Sequence, residues 1–261
     1  MNTVLEKTKQ VDQQDLEKRV KAMYREVALH PEIEYHFEMG RALAERLGHP
    51  SELLDQIPSE AIDSFAGVGY YFDMALLKPG EVVVDLGSGS GMDVFFAAHQ
   101  VGDTGEVIGL DMTDEQLEKS ALLRDEANIK NVIFQNSYIE NLPIVSESID
   151  AVISNGVINL SSEKAKVFNE AARVLKSGGK LAISDIVTTV KLPENISCNA
   201  TLWAACIGGA MQLDDYLTLI EKAGMDIIEV KNNPYSFISN SAKGATEDYG
   251  IKSVSVLAIK R

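Results

Sequence analysis

Apolar residues recur at helical spacing early in the chain, at Leu16, Val20, Met23, Tyr24 and Val27, and predict a helix over 12–29. A second helix is expected over 32–47, where the acidic run from Glu32 to Glu38 reads as a solvated face. Shorter helical pieces run on to Leu77, punctuated by His49-Pro50, Pro58 and Lys78-Pro79-Gly80. There the pattern changes. The continuous apolar run 82–86 predicts a buried strand, 92–100 a helix and 106–110 a second strand. A helix from Asp114 to near Asn128 is expected to open on a capping box of Thr113 and Gln116. Strands at 131–135 and 149–154 follow, then a helix over 162–175 closed by Ser177-Gly178-Gly179. Strand 180–187, a helical stretch near 195–222 and strands at 226–231 and 252–259 complete the alternation. Within that stretch Asp214-Asp215 reads as the acidic start of a helix. Alternation of this kind implies a mostly parallel sheet with helices on both faces. No clear helix separates the last two strands, so the final strand is expected to run antiparallel.

The junction after the first of these strands carries the chemistry. Asp85 sits near the strand end, and Gly87, Ser88 and Gly89 lead into a turn with a third glycine at Gly91. Glycine at every second position lets the backbone turn sharply and approach a ligand with no Cβ in the way. Asp111, at the end of the next strand, is placed to take the two hydroxyls of a ribose. A dinucleotide fingerprint would have a glycine where Met92 stands, and a carboxylate before the turn repels phosphate. S-adenosylmethionine has no phosphate and carries an ammonium and a sulfonium, which suit Asp85.

Composition narrows the partners. With 24 basic against 39 acidic residues the formal net charge is −15, which argues against nucleic acid as a partner. Two cysteines, Cys198 and Cys206, give neither a disulfide framework nor a metal-type pair. No secretory leader is expected, because no signal-peptide h-region is seen at the start of this sequence, and no apolar run approaches membrane-spanning length. A soluble cytoplasmic enzyme with a small-molecule acceptor, no metal and no membrane contact is expected, as a monomer or homodimer. His30, His36 and His99 read as loop, surface or packing residues, and no histidine is spaced to pair with a carboxylate.

The segments Leu-Lys-Pro-Gly-Glu (77–81), Asp-Leu-Gly-Ser-Gly-Ser-Gly-Met-Asp (85–93), Gly-Leu-Asp-Met-Thr (109–113), Ile-Glu-Asn-Leu-Pro (139–143) and Ile-Ser-Asn-Gly-Val-Ile-Asn-Leu-Ser (153–161) resemble those of class I S-adenosylmethionine-dependent methyltransferases. The stretches 173–186 and 206–210 match as well, and the branch resembled is the arsenite methyltransferase-like one. The resemblance implies a Rossmann-like, seven-stranded sheet with an antiparallel last strand over 78–261, preceded by a helical cap or lid over 1–77. It implies that Asp85, Gly87, Ser88 and Gly89 face the methionine part of the cofactor. Asp111 takes the ribose, Met112 packs on the adenine, and Tyr138, Ile139 and Glu140 border its edge, with the Ile139 N–H as a donor. Asn155 is placed beside the reacting sulfonium, as a catalytic residue together with Cys206. Tyr24, Tyr70, Asn159, Trp203 and Cys206 are the expected walls of the substrate pocket.

Two of the three cysteines with which arsenite methyltransferases hold arsenic are absent from the matching positions, which carry Val68 and Gly156; Cys206 stands at the third. Cys198 is a poor substitute, because eight helical residues rise about 12 Å. The expected activity is in-line methyl transfer to a small thiol or a metalloid–thiol adduct. An oxygen or carbon acceptor such as a phenol or quinone precursor is the alternative, and a non-catalytic cofactor-binding protein a further one.

Overall fold

The computed structural model describes residues 12–197, 203, 207–238 and 240–261. Seven strands form a continuous sheet in the order β3-β2-β1-β4-β5-β8-β7. These are β1 (Val82–Leu86), β2 (Glu106–Asp111), β3 (Val132–Asn136), β4 (Ile149–Asn155), β5 (Leu175–Thr188), β7 (Met225–Asn232) and β8 (Lys252–Lys260). A two-residue strand, β6 (Met211–Gln212), pairs with β5 beside this path. β1 to β5 are parallel, and the last strand β8 runs antiparallel to both neighbours, as expected.

Strand alternation sorts the side chains between two cores. Val83 packs on one face with Phe95, Phe96 and the N-terminal residues Leu43, Leu54, Ile62, Phe65 and Phe72. Val84 and Leu86 pack on the other, with Val167, Phe168, Tyr216 and Ile220. Asp85 shares the parity of Val83 and so lies beneath the N-terminal layer. Residues 40–75 therefore join the core of the sheet itself, while the helix Gln13–Leu29 (α1) crosses above the strand ends. Asp12 caps α1 by accepting from the backbone N–H groups of Gln14 and Asp15.

Five local expectations are corrected. Residues 32–39 are turn and loop, and helix begins only at Gly40 (Gly40–Leu47, α2), followed by the short helices Ser51–Leu54 (α3), Ser59–Asp63 (α4) and Phe72–Ala75 (α5). The rings of Tyr35 and Phe37 stack at 5.5 Å, an i,i+2 contact that extended backbone allows and a helix does not. Thr113 makes no side-chain cap on its helix, because its hydroxyl bonds Asp111, and the Gln116 side chain goes to other partners described below. The helix Lys164–Val174 passes directly into β5 at Leu175, and Gly178-Gly179 lie in an irregularity of that strand where its register with β4 shifts. A helix, Asn240–Tyr249, does separate the last two strands, in a polar stretch without the apolar period that would announce it. The helical stretch expected near 195–222 resolves, among the described residues, into Glu194–Ser197 and Leu213–Lys222 with β6 before the latter; Asp214 and Asp215 occupy its first turn.

Candidate active site

A cleft of about 490 Å³ opens at the carboxyl ends of β1, β2 and β4, where the winding of the sheet reverses. Its floor is the glycine turn. Gly87 and Gly91 hold φ of 76° and 93°, in the left-handed region. Gly91 is the N-cap from which the helix Met92–Val101 (α6) starts. The backbone N–H groups of Gly87 and Ser88 both donate to the Leu110 carbonyl at 2.8 Å, which binds the turn to the end of β2. The Ser88 hydroxyl is buried with no partner among the described residues and lines the cleft.

Asp111 accepts from the Gly89 N–H at 3.0 Å through one oxygen and from the Thr113 N–H at 2.8 Å through the other. The Thr113 hydroxyl and the Met112 N–H also bond this carboxylate, so the glycine turn and the start of the next helix are gathered on one acid that lines the cleft. Burial raises the Asp111 carboxyl above its ordinary value, and the donors of Thr113, Gly89 and Met112 pull it back in part. Asp85 is pushed well above the usual carboxylate range, first by burial and then by the negative charge of Asp93 and Asp111. The turn is therefore walled by three acids, a surrounding that favours a cation and repels phosphate.

Gln116 is the hinge pin between floor and roof. Its side chain accepts from the Ser90 hydroxyl at 2.6 Å and donates to the Tyr24 carbonyl on α1 at 2.7 Å. α1 contributes Leu16, Glu17, Val20 and Tyr24 to the cleft. Tyr138 fastens its far side: the phenol donates to Glu17 at 2.6 Å and accepts from Lys21 at 2.9 Å. Ile139 and Glu140 continue that wall beside Met112, with the Glu140 carboxylate held by the Ser161 hydroxyl.

Asn155, at the end of β4, lines the cleft with its amide already engaged. Its Oδ1 accepts from the Val68 N–H at 2.8 Å and the Gly69 N–H at 3.3 Å. Its Nδ2 donates to the Gly69 carbonyl at 3.0 Å and to Asp93 Oδ2 at 2.9 Å. Two donors and two acceptors are thus used within the protein, so Asn155 clamps the strap 67–71 to α6. Val68 and Gly156 meet here: a Cβ on Gly156 would lie 3.3 Å from Val68 Cγ1.

Other expected pocket residues lie elsewhere. Tyr70 stands behind the cleft wall, its ring against His49 at 4.8 Å, and burial pushes its phenol up to about 12. Asn159 is fully buried, and its carbonyl accepts from Lys164 at 3.0 Å. Trp203 packs with Leu16, Val20 and Leu160 under α1 and donates to the Ser197 carbonyl at 2.7 Å. Cys206 and Cys198 fall outside the described residues.

One constellation has no trace in the local sequence, where no histidine–carboxylate pair is expected. His49 Nε2 lies 3.4 Å from Asp93 Oδ1, and both side chains are buried. The residues belong to different elements, and the packing of the N-terminal layer on α6 brings them together. A polar residue at an otherwise apolar position of that layer is the one available signal.

A family model described as a methyltransferase domain matches residues 77–224. The chain belongs to the methyltransferase-domain family. Its relatives include an arsenite methyltransferase from Halobacterium salinarum, 38% identical over 199 residues, which are 76% of this chain and 51% of the relative. The arsenite methyltransferase of Homo sapiens is 41% identical over 167 residues, 59% of this chain and 44% of that protein. This methyltransferase-family chain thus spans about half the length of these curated relatives. Among solved structures, CrArsM, an arsenic(III) S-adenosylmethionine methyltransferase from Chlamydomonas reinhardtii, superposes with a TM-score of 0.64 at 29% identity, covering 86% of this chain and 75% of that one. No helix among the described residues is long and apolar enough to cross a membrane.

Proposed function

We propose that this chain is an S-adenosylmethionine-dependent methyltransferase acting on a small thiol or a metalloid–thiol adduct. The observation that carries the reading is the combination, in one cleft, of Asp111 at the end of β2 beside the glycine turn and Asp85 whose charged neighbours among the described residues are acids. In this reading Asp111 holds the ribose hydroxyls. Met112, Tyr138, Ile139 and Glu140 border the base. Asp85, Gly87, Ser88 and Gly89 surround the methionine end, where the carboxylate balances positive charge. The cofactor supplies an electrophilic methyl on a sulfonium whose leaving group is a neutral thioether, so no acid has to protonate it.

The protein's own share is then alignment and exclusion of water. α1 roofs the cleft, and Phe65, Ala66, Gly67 and Val157 give its far end an apolar lining near Asn155. Asp93, the acid at that end, is engaged by Tyr71 and Asn155. Such a site suits a nucleophile that ionises without help, as thiols do within a couple of pH units of neutrality. The arsenite methyltransferases among its relatives support a soft acceptor. Val68 and Gly156 leave Cys206 as the remaining thiol to anchor it.

The test is methyl transfer from labelled cofactor to arsenite, monothiols, dithiols, phenols and quinols, with Cys206→Ser in parallel. Turnover of thiols or arsenite, lost in the variant, is the expected result; turnover confined to phenols or quinols, or none at all, overturns it. A second expectation concerns protons. The free cleft holds the Asp85 proton to a pH well above the usual carboxylate range, and a bound cation favours the ionised form. Cofactor binding should therefore release protons and tighten as pH rises. Calorimetry in buffers of different ionisation enthalpy measures this, and proton uptake or no exchange would contradict it.

A further inference from the structure

The hydrogen-bond arithmetic around His49 leaves one proton to be placed. Its Nδ1 lies 3.1 Å from the Ala44 carbonyl oxygen. That oxygen already accepts from the Gly48 and His49 backbone N–H groups at 3.2 and 3.0 Å, which occupy its two lone pairs, so the hydrogen of the ring is decided at Nε2. A bare Nε2 would be an acceptor facing Asp93 Oδ1, another acceptor, at 3.4 Å. Neither atom has another hydrogen-bond partner among the described residues, and both are buried. Two buried lone pairs opposed in this way are unfavourable, and a proton between them turns the repulsion into a charge-assisted bond.

The surroundings are arranged around that pair. Phe65, Tyr70, Phe72 and Phe96 enclose the imidazole, with ring centroids at 5.2, 4.8, 6.3 and 5.5 Å. The titratable groups facing the pair are the phenols of Tyr70 and Tyr71 from the strap and Asp85 from β1. Asp93 Oδ2 accepts from the Tyr71 hydroxyl at 2.7 Å and from Asn155 Nδ2 at 2.9 Å. Asn155 in turn holds the backbone of Val68 and Gly69. Asp93 thus ties the strap residue Tyr71 and the Asn155 amide to α6, and His49 braces that carboxylate from behind.

We infer that His49 and Asp93 share one proton and that the bridged pair is a positioning device for methyl transfer, fixing the carboxylate that orients the Asn155 amide and the Tyr71 phenol beside the 67–71 strap. His49 touches neither cofactor nor acceptor, and acts through Asp93. The kinetic consequence rests on the methyltransferase reading; the shared proton does not.

Two measurements on the full chain keep these apart. In the first, nitrogen NMR of histidine-labelled protein is expected to show His49 Nε2 carrying a hydrogen, which it loses in Asp93→Asn. A bare Nε2 in the native chain overturns the inference whatever the enzyme turns over. In the second, His49→Phe fills the aromatic box without a donor, whereas His49→Gln offers an amide N–H to Asp93. His49→Phe is expected to lower kcat by about 10²-fold, the scale of an ångström-sized misplacement, with the cofactor Kd unchanged. His49→Gln is expected to recover most of that loss. A residue that merely filled space would give the opposite order, the Phe variant matching or exceeding the Gln variant, and that order overturns the positioning role. If neither variant folds, the spectrum of the native chain still decides.

Discussion

Asp111→Asn is expected to weaken S-adenosylmethionine binding by about 10²-fold, since hydrogen bonds to a charged group contribute roughly 1.5–3 kcal/mol. The carboxylate has a double task. Its oxygens hold the turn, through Gly89 and Thr113, and also line the cleft. An amide in its place keeps a single oxygen. One of those backbone N–H groups then meets an NH2 group instead of an oxygen, and the diol loses an acceptor. Burial already makes the charge of Asp111 costly in the free protein, so removing it relieves part of that penalty. The melting temperature of the free variant should accordingly move far less than its affinity. Titration calorimetry with a thermal melt reads both quantities; unchanged affinity would remove Asp111 from the cofactor site.

Gly87→Ala is expected to act on the fold instead, lowering stability by about 2–5 kcal/mol from left-handed strain and overpacking together. At φ 76° an L-residue is strained, and its Cβ would stand 2.5 Å from Val157 Cγ1. Val157 follows Gly156 directly, so any retreat carries the end of β4 and Asn155 with it. Gly89→Ala is the informative control. Its φ is 53°, yet the nearest atom to an added Cβ is Gln116 Oε1 at 3.7 Å. That variant should fold with a smaller loss. Equal thermal shifts in the two variants would show that strain, not the contact with Val157, sets the cost.

The half of the cleft proposed to hold the nucleoside is built from residues that are local in the chain. Asp85, the three glycines and Asp111 lie at the ends of two adjacent strands, and strand parity alone brings them together. Met112, Tyr138, Ile139 and Glu140 follow strand ends too, and all line the cleft. The opposite half is built from distant pieces, and there the sequence misleads. Gln116 has the spacing of a capping box, but Ser90 and the Tyr24 carbonyl are stronger claims on its amide than a helix end open to solvent. Asn155 stands where a reacting group is expected, yet its four hydrogen-bonding positions go to the strap and Asp93. His49, in an unremarkable His-Pro pair, gains its meaning only when the N-terminal layer closes on α6. Tyr70 and Trp203 were expected as pocket walls on type and place, and they stand one layer behind it. In each case tertiary contact, which no local spacing records, decides where a polar group finds its partner.

The separation of the two halves has a consequence for how such a chain diversifies. In the proposed reading the cofactor contacts hang from the sheet, while the wall beside Asn155 is a short run, 64–67, suspended ahead of the first strand. Exchange within those few positions would alter which molecule reaches the methyl group and leave the nucleoside grip untouched. Inheritance of one grip with many acceptors is thus a property of the wiring, and the acceptor is the more evolvable half of the reaction.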